Sequence, residues 1–228
     1  MKNIEFSDYQ RLTLIDVDVQ NDFCPGGSLA VSEGDLVIPA LNKGWRAIKS
    51  VAEGRVRSYP YAYREDLDYK EPTAFLTATR DWHPKKTNHF GAPPDFIKTW
   101  PVHCVANTEG AGFHPDLDLR DAVTLSKGTL PDQDAYSGFQ AHDNFNEGLE
   151  QLIGNPELLK IAVFVGGLAT DYCVKATVLD ARQRGYDTFV LSDAIRGVSQ
   201  ETSAQAVDDM TSAGARFMSV DELVEALR

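Results

Sequence analysis

The sequence is short of cysteine, of basic charge and of long apolar runs, and each shortage disfavours a class of protein. Its three cysteines cannot all pair within the chain, so a secreted domain cross-linked by disulfides is not expected. The net charge of -12 disfavours binding to nucleic acid or to an anionic membrane. No apolar run approaches the length needed to cross a bilayer. We therefore expect a small molecule as the partner, with no nucleic acid and no membrane, and we leave a homo-oligomer open.

The start of the chain and its size indicate an ordinary globular protein. The opening residues MKNIEFSDYQ lack the basic-then-apolar order of a signal peptide, which favours a cytoplasmic location. With 228 residues, 43% of them hydrophobic and 25% charged, the chain can bury the core of one domain. We find no internal repeat and no low-complexity tract, so we predict a single domain over residues 1–228.

Apolar runs alternate with segments of helical periodicity along the chain. The predicted strands, rich in Leu, Ile and Val, are residues 12–19, 74–79, 123–126, 160–165, 189–191 and 215–218. The predicted helices are residues 37–53, 171–184 and 200–213, with a last helix capped by Ser219 and Glu222. This alternation is typical of a parallel sheet with helices on both faces. In such sheets ligands bind at the carboxyl ends of the strands.

Two segments do not fit this alternation. Residues 55–72 are polar and aromatic without a clear period, so we interpret them as an inserted surface loop. Residues 83–115 are dense in Pro, Gly, His and Trp. Such a composition is typical of a loop that carries function rather than of a linker.

Cys173 is the candidate nucleophile. It ends the stretch Val165-Gly-Gly-Leu-Ala-Thr-Asp-Tyr-Cys, in which a buried strand leads through a tight turn into a helix. Unpaired N–H groups at a helix start lower the pKa of a thiol and can bind a developing oxyanion. A buried structural cysteine is the ordinary alternative, but the neighbouring glycines let the backbone approach a ligand. We therefore predict a reactive thiolate at this position.

Asp18 and Lys127 are the candidate partners of the thiol, which needs a group to accept its proton. Strand alternation puts Asp16 and Asp18 on one face, with Asp18 nearer the carboxyl end of the strand. A carboxylate there is costly to bury without a partner, whereas Asp22 lies beyond the strand and is expected to cap the turn. Lys127 follows another strand and reaches the same edge of the sheet. Most lysines are surface charges, but beside Asp18 and Cys173 this one would keep the carboxylate ionised and stabilise the thiolate.

One carboxylate and three imidazoles within a short window indicate a metal site. These candidate ligands are Asp81, His83, His89 and His103. Mixed nitrogen and oxygen ligands without a thiolate suit one divalent ion, zinc first, with iron or manganese as alternatives. Histidines that merely line a polar loop are the other explanation. The clustering of three of the five histidines beside an Asp-x-His pair disfavours it.

Five motifs occur together and in a fixed order. They are Asp18-Val-Gln-Asn-Asp-Phe-Cys-Pro-Gly-Gly, Asp81-Trp-His-Pro, Trp100-Pro-Val-His-Cys, Lys127-Gly with Tyr136-Ser-Gly-Phe, and Gly167-Leu-Ala-Thr-Asp-Tyr-Cys. From about Leu12 to the last strand and helix, the chain resembles the nicotinamidases of the isochorismatase-like cysteine hydrolases. The resemblance implies an α/β three-layer sandwich, in which a six-stranded, mostly parallel sheet is flanked by helices. It further implies one isochorismatase-like hydrolase domain with an insertion at about residues 55–72.

The resemblance also implies a role for each candidate residue. The implied catalytic triad is Asp18, Lys127 and Cys173, and the implied metal ligands are Asp81, His83 and His103, with His89 as a fourth ligand in some members. The side chains implied to line a pocket for an aromatic ring are Phe23, Trp100 and Tyr136. The implied oxyanion hole is formed by the backbone N–H groups of Ala169 and Cys173, after a cis Leu168–Ala169 bond. Tyr172 stands where some relatives carry His, so no contact of its side chain is carried over.

The implied activity is that of an amidohydrolase acting on a linear carboxamide. It would convert nicotinamide to nicotinate and ammonia through a cysteine thioester in NAD salvage, and would also accept pyrazinamide. Two alternatives stay open. One is another isochorismatase-like hydrolase of small amides, which the metal ligands disfavour. The other is an inactive metal-binding or redox-sensing protein on the same fold, which the retained triad disfavours.

Overall fold

A computed structural model describes residues 6–52, 56–57 and 73–228 of the chain. The predicted inserted loop at residues 55–72 lies outside the described residues, except for a two-residue strand, Val56–Arg57. None of the helices in the described ranges combines the length and the apolar composition needed to cross a membrane.

A single parallel sheet collects strands from almost the whole described chain. The strands are β1 (Arg11–Val17), β2 (Val56–Arg57), β3 (Thr73–Asp81), β4 (Ala122–Lys127), β5 (Ile161–Leu168), β6 (Asp187–Arg196) and β7 (Arg216–Met218). Their order is β4-β3-β1-β5-β6-β7, and every one of these pairs is parallel. The short β2 pairs with the first half of β3, on the edge that β4 occupies farther along. The six-stranded sheet implied by the resemblance is thus confirmed.

Helices cover both faces of the sheet and make it the middle of three layers. The helices are α1 (Val37–Val51), α2 (Leu149–Ile153), α3 (Lys175–Gln183), α4 (Gln200–Ser212) and α5 (Val220–Ala226). One apolar cluster joins β1 to α1 and α5 and contains Leu12, Leu14, Leu41, Trp45 and Leu223. The opposite cluster joins β1 to α2, α3 and α4 and contains Ile15, Val17, Leu149, Val178 and Met210. Alternate residues of β1 thus serve opposite cores, as the period of a strand requires.

The predicted elements agree with the structure apart from their bounds. The capping box at the last helix is confirmed, because the Glu222 N–H donates to Ser219 Oγ and the Ser219 N–H donates back to the Glu222 carboxylate. Strand β6 is longer than predicted and runs past its apolar centre to Arg196. The helix predicted from residue 171 begins as one π turn, Thr170–Val174, before α3 starts at Lys175. A π turn of this kind is common at functional sites, and Cys173 lies within it.

Candidate active site and metal centre

The ends of four adjacent strands bring the candidate residues to one edge of the sheet. Asp18 follows β1 directly, Asp81 ends β3 and Lys127 ends β4. Cys173 follows β5 after one turn. Because parallel strands share a direction, these four ends meet at the carboxyl edge. One side-chain oxygen, or the thiol sulfur, from each of Asp18, Asp81 and Cys173 lies within 4.8 Å of the others.

The Asp18 side chain is aimed by a local backbone conformation rather than by strand alternation. Strand β1 ends at Val17, and Asp18 has a φ of 51°, in the left-handed region. Its N–H donates to the Thr79 carbonyl at 3.1 Å, and Thr79 Oγ1 donates to its Oδ1 at 2.7 Å. The expectation that alternation places Asp16 and Asp18 on one face is therefore wrong, because the regular strand stops before Asp18.

Lys127 is a buried cation held between two carboxylates. Its ammonium lies 2.8 Å from Asp18 Oδ2, forms an ion pair with Asp81, and donates to the Ala135 carbonyl at 3.2 Å. Burial alone would lower its pKa, but the charges of Asp18 and Asp81 outweigh burial and hold the pKa well above the ordinary value. The ammonium also lies 3.5 Å from Cys173 Sγ. A fixed positive charge thus faces both the candidate base and the candidate nucleophile.

The environment of Cys173 raises the pKa of its thiol, whereas a place at the start of a helix predicts a lowered pKa. Burial raises its pKa well above the ordinary value, and although Lys127 acts in the opposite direction, Asp18 and Asp81 raise the pKa further. Burial also raises the pKa of Asp18, against the effect of Lys127. A carboxylate with a raised pKa is a stronger proton acceptor than an ordinary one. The arrangement therefore suits transfer of the thiol proton to Asp18 at the moment of attack.

The three candidate histidine ligands point one nitrogen each into a common space. In each ring Nδ1 faces an oxygen, namely the Gly128 carbonyl at 3.0 Å from His83, the Asp134 carboxylate at 2.8 Å from His89 and the Pro101 carbonyl at 2.7 Å from His103. An acceptor at Nδ1 fixes the proton there and leaves Nε2 with a free lone pair, as in most metal-bound histidines. Ring nitrogens of the three lie within 4.8 Å of one another.

The donor set fits a divalent metal ion. His83 Nε2 is buried and has no hydrogen-bond partner among the residues that the structure describes. Asp81 Oδ2 lies 3.6 Å from that atom and 3.9 Å from His103 Nε2. Burial lowers the pKa of His103 to about 4 and also lowers that of His89, so both rings stay neutral near pH 7, as metal ligation requires. Three imidazoles and a carboxylate suit a borderline metal such as zinc.

A pocket connects the thiol with the histidine cluster. Its cavity volume is about 110 Å³, and its wall includes Cys173 together with Asp81, His89 and His103. About 10–15 Å³ of such a volume holds one water molecule, so the pocket has room for roughly seven to eleven atoms of that size. All three predicted aromatic residues line it, namely Phe23, Trp100 and Tyr136. Cavity size and wall thus suit one small aromatic ring.

Several contributors were not predicted from the sequence. Further side chains on the pocket wall are those of Leu29, Val31, Phe96, Tyr172 and Val198. The Tyr172 ring stands edge-on to that of Trp100 with a centroid distance of 4.9 Å. The sequence signal that could have identified Tyr172 was its position directly before Cys173. Phe96 and Val198 are more than half exposed and lie outside the helices and strands, so no periodicity marks them. Asp134, which holds His89, lies two residues before Tyr136 in a polar loop that offered no signal either.

The turn before Cys173 has the backbone form that the resemblance implies. The Leu168–Ala169 peptide bond is cis, which confirms that expectation. The Ala169 carbonyl accepts hydrogen bonds from the N–H groups of Tyr172 at 3.0 Å and Val174 at 3.1 Å, on either side of Cys173. Ala169 itself also lines the pocket. The backbone of this turn is therefore next to the space in which a substrate carbonyl would lie.

Sequence and structure comparisons identify relatives of this chain. Residues 13–222 match the model of the isochorismatase domain family. The chain is 36% identical over 207 residues to the nicotinamidase/pyrazinamidase of Mycobacterium tuberculosis, covering 90% of this chain and 97% of that protein. A zinc-bound pyrazinamidase of Pyrococcus horikoshii is 37% identical with a TM-score of 0.69, covering 91% and 98%. The L. infantum protein PnC1 in complex with nicotinate is 28% identical with a TM-score of 0.68, covering 95% of each chain. The chain therefore belongs to the isochorismatase domain family.

Proposed function

We propose that this protein is a nicotinamidase, an amidohydrolase that converts nicotinamide to nicotinate and ammonia. The observation that carries the proposal is one pocket whose wall holds the Cys173 thiol together with His89 and His103 of the histidine cluster. A planar ring between the aromatic side chains would direct its nitrogen to one end and its carboxamide to the other. The names of the related proteins, nicotinamidase and pyrazinamidase, support the same substrates.

The catalytic steps follow from the contacts around Cys173. Asp18 takes the thiol proton, and the sulfur attacks the carboxamide carbon to form a C–S bond. The resulting oxyanion accepts hydrogen bonds from the backbone N–H groups of Ala169 and Cys173. Asp18 then returns the proton to the amide nitrogen, the C–N bond breaks, and ammonia leaves a thioester. Asp18 next takes a proton from water, whose hydroxyl attacks the thioester, and nicotinate leaves as the sulfur regains a proton.

Lys127 and the metal ligands act without covalent chemistry. The Lys127 ammonium stabilises Asp18 as a carboxylate before attack and the sulfur while it carries negative charge. Asp81, His83, His89 and His103 would hold a divalent ion, with zinc as the first choice and iron or manganese as alternatives. When bound, the ion supplies a Lewis acid for a ring nitrogen. The zinc complex of the related pyrazinamidase supports this choice. We place the reaction in NAD salvage; a cytoplasmic location and a homo-oligomer stay predictions.

The direct test is a time course of ammonia and nicotinate release, with and without a chelator. Nicotinamide and pyrazinamide should both be hydrolysed. Benzamide has the same shape without a ring nitrogen and should be hydrolysed far more slowly, as should aliphatic amides. Removal of the metal should reduce nicotinamide turnover, and added zinc should restore it. Turnover confined to aliphatic amides would instead identify another small-amide hydrolase. Metal-loaded protein that hydrolyses none of these amides would favour the inactive metal-binding alternative.

Replacing the candidate base by Asp18→Asn should reduce kcat by about 10²–10⁴-fold, the usual contribution of general acid–base catalysis. The amide oxygen can still accept from Thr79 Oγ1, but the side chain can no longer take the thiol proton. Thermal unfolding of the variant checks that the fold is kept. A folded variant with the kcat of the wild type would exclude Asp18 as the base.

A further inference from the structure

The third histidine of the cluster is held in a different way from the other two. His83 and His103 direct Nδ1 to backbone carbonyls, whereas His89 directs Nδ1 to the carboxylate of Asp134 at 2.8 Å. That carboxylate belongs to a side chain that is 49% exposed, while the His89 side chain is 7% exposed. The orientation of this ring thus depends on one anionic side chain that reaches inward from the surface.

The backbone around His83 is fixed independently of any side chain. The His83 N–H donates to the Cys104 carbonyl at 3.0 Å, and its carbonyl accepts from the Ala106 N–H at 2.8 Å. His89 is also tied through its backbone, since its carbonyl accepts from the Trp100 N–H at 2.9 Å. Its ring, however, has Asp134 as the hydrogen-bond partner at Nδ1. Backbone hydrogen bonds position the main chain of His89, and the Asp134 carboxylate orients its ring.

The segment that carries Asp134 also contacts the triad and the pocket. The next residue, Ala135, offers its carbonyl to the Lys127 ammonium at 3.2 Å, and Tyr136 lines the pocket. At the start of this segment the Pro131 carbonyl accepts from Thr87 Oγ1 at 2.9 Å and from the Asn88 N–H at 2.8 Å. The segment is therefore joined to the loop that presents His89 at its start, and to Lys127 and the pocket at its end.

From these contacts we propose that Asp134 is the positioning residue that makes His89 a ligand of the metal centre. Its carboxylate fixes the proton on Nδ1, turns Nε2 toward His83 and His103, and increases the electron density of the ring. Partners of metal-bound histidines act in this way, and their loss typically costs 10–100-fold in metal affinity. The inference rests on the metal site of the proposed function and adds a residue outside the predicted ligand set.

The test measures metal affinity rather than turnover. Zinc affinity is determined by competition with a chromophoric chelator for the full chain and its variants. Asp134→Ala should weaken zinc binding by about 10–100-fold. Asp134→Asn keeps an acceptor oxygen without the charge, so its loss should be smaller. The matched control is Asp132→Ala, which removes an exposed carboxylate two residues away and should leave the affinity unchanged.

A double-mutant cycle separates positioning from general damage. His89→Ala should weaken zinc binding, and adding Asp134→Ala to it should cause no further loss, because the carboxylate acts through the ring. The visible spectrum of the cobalt-substituted protein gives a second readout, since it changes when a ligand is lost. Asp134→Ala should therefore have the spectrum of His89→Ala. If Asp134→Ala fails to fold, the same cycle is carried out with Asp134→Asn.

Two results would overturn the proposal while leaving the proposed function intact. One is an Asp134→Ala protein with the zinc affinity and the cobalt spectrum of the wild type. The other is a loss of zinc affinity, on adding Asp134→Ala to His89→Ala, that equals the loss caused by Asp134→Ala alone. Wild-type protein that binds no divalent metal would overturn this inference together with the metal site itself. Hydrolysis of nicotinamide by that metal-free protein would then leave the cysteine chemistry standing.

Discussion

Nicotinamide turnover should fall by about 10⁴-fold or more when Cys173 is replaced by alanine, because the variant has no atom to form the thioester. The expected loss approaches that of removing the whole triad, since residues that act as one unit are not additive. Ammonia release gives the rate. Mass spectrometry of protein quenched during turnover gives the covalent state, and the acyl adduct should be found on Cys173 in the wild type alone.

Cys24 offers a matched control, because it is also a buried thiol of the same chain. Burial raises its pKa to about 11, but it lies in the loop after β1 and is not part of the pocket wall. Cys24→Ala should keep the acyl adduct and most of the turnover. Substantial ammonia release by Cys173→Ala, or an adduct on another residue, would show that the nucleophile has been assigned to the wrong side chain.

Residue order alone predicted the strands of a parallel sheet and the reactive side chains that follow or end them. Apolar runs rich in branched residues identify β1, β3 and β5, since strands buried on both faces have little choice of composition. Asp18, Lys127 and Cys173 could then be placed at one edge because parallel strands all end there. The resemblance added the aromatic wall and the cis Leu168–Ala169 bond, neither of which a periodicity argument can supply.

The pKa shifts of the site residues could not be predicted from the sequence. A helix start lowers the pKa of an exposed thiol, but at Cys173 burial and two neighbouring carboxylates dominate and raise it. That balance depends on distances across four strands. The direction of Asp18 was missed for a similar reason, because a left-handed conformation at a single residue has no signature in an apolar pattern. Local rules were sufficient for elements and insufficient for electrostatics.

Asp16 should make the free energy of unfolding decrease as the pH rises from about 4 to about 8. It lies inside β1 and is 2% exposed, and its Oδ1 has no hydrogen-bond partner within the described part of the chain. Burial raises its pKa to about 8. The unfolded chain, with an ordinary carboxyl pKa near 4, loses this proton first. The native state then binds more protons than the unfolded state, so stability falls with pH.

The size of the effect follows from the same linkage. The contribution of the Asp16 carboxyl group to the free energy of unfolding is fully present below about pH 4 and is lost progressively until about pH 8. At pH 7 the loss from this one group is on the order of 4 kcal/mol, from about three pH units at 1.4 kcal/mol each. Asp16→Asn removes the ionisable group with little change of volume. Relative to the wild type, the free energy of unfolding of Asp16→Asn should therefore increase as the pH rises across this range.

Urea unfolding at a series of pH values measures that difference directly. A chelator is present throughout, because metal binding is itself pH-dependent and would add its own linkage. Asp116→Asn is the control, since it makes the same chemical change at a carboxylate that is 82% exposed. An Asp16→Asn difference that stays constant from pH 4 to pH 8 would mean that native Asp16 titrates like an ordinary carboxyl group. In that case the apolar interior beside β1 must admit a partner or water to the carboxylate, since an isolated buried charge there is too costly.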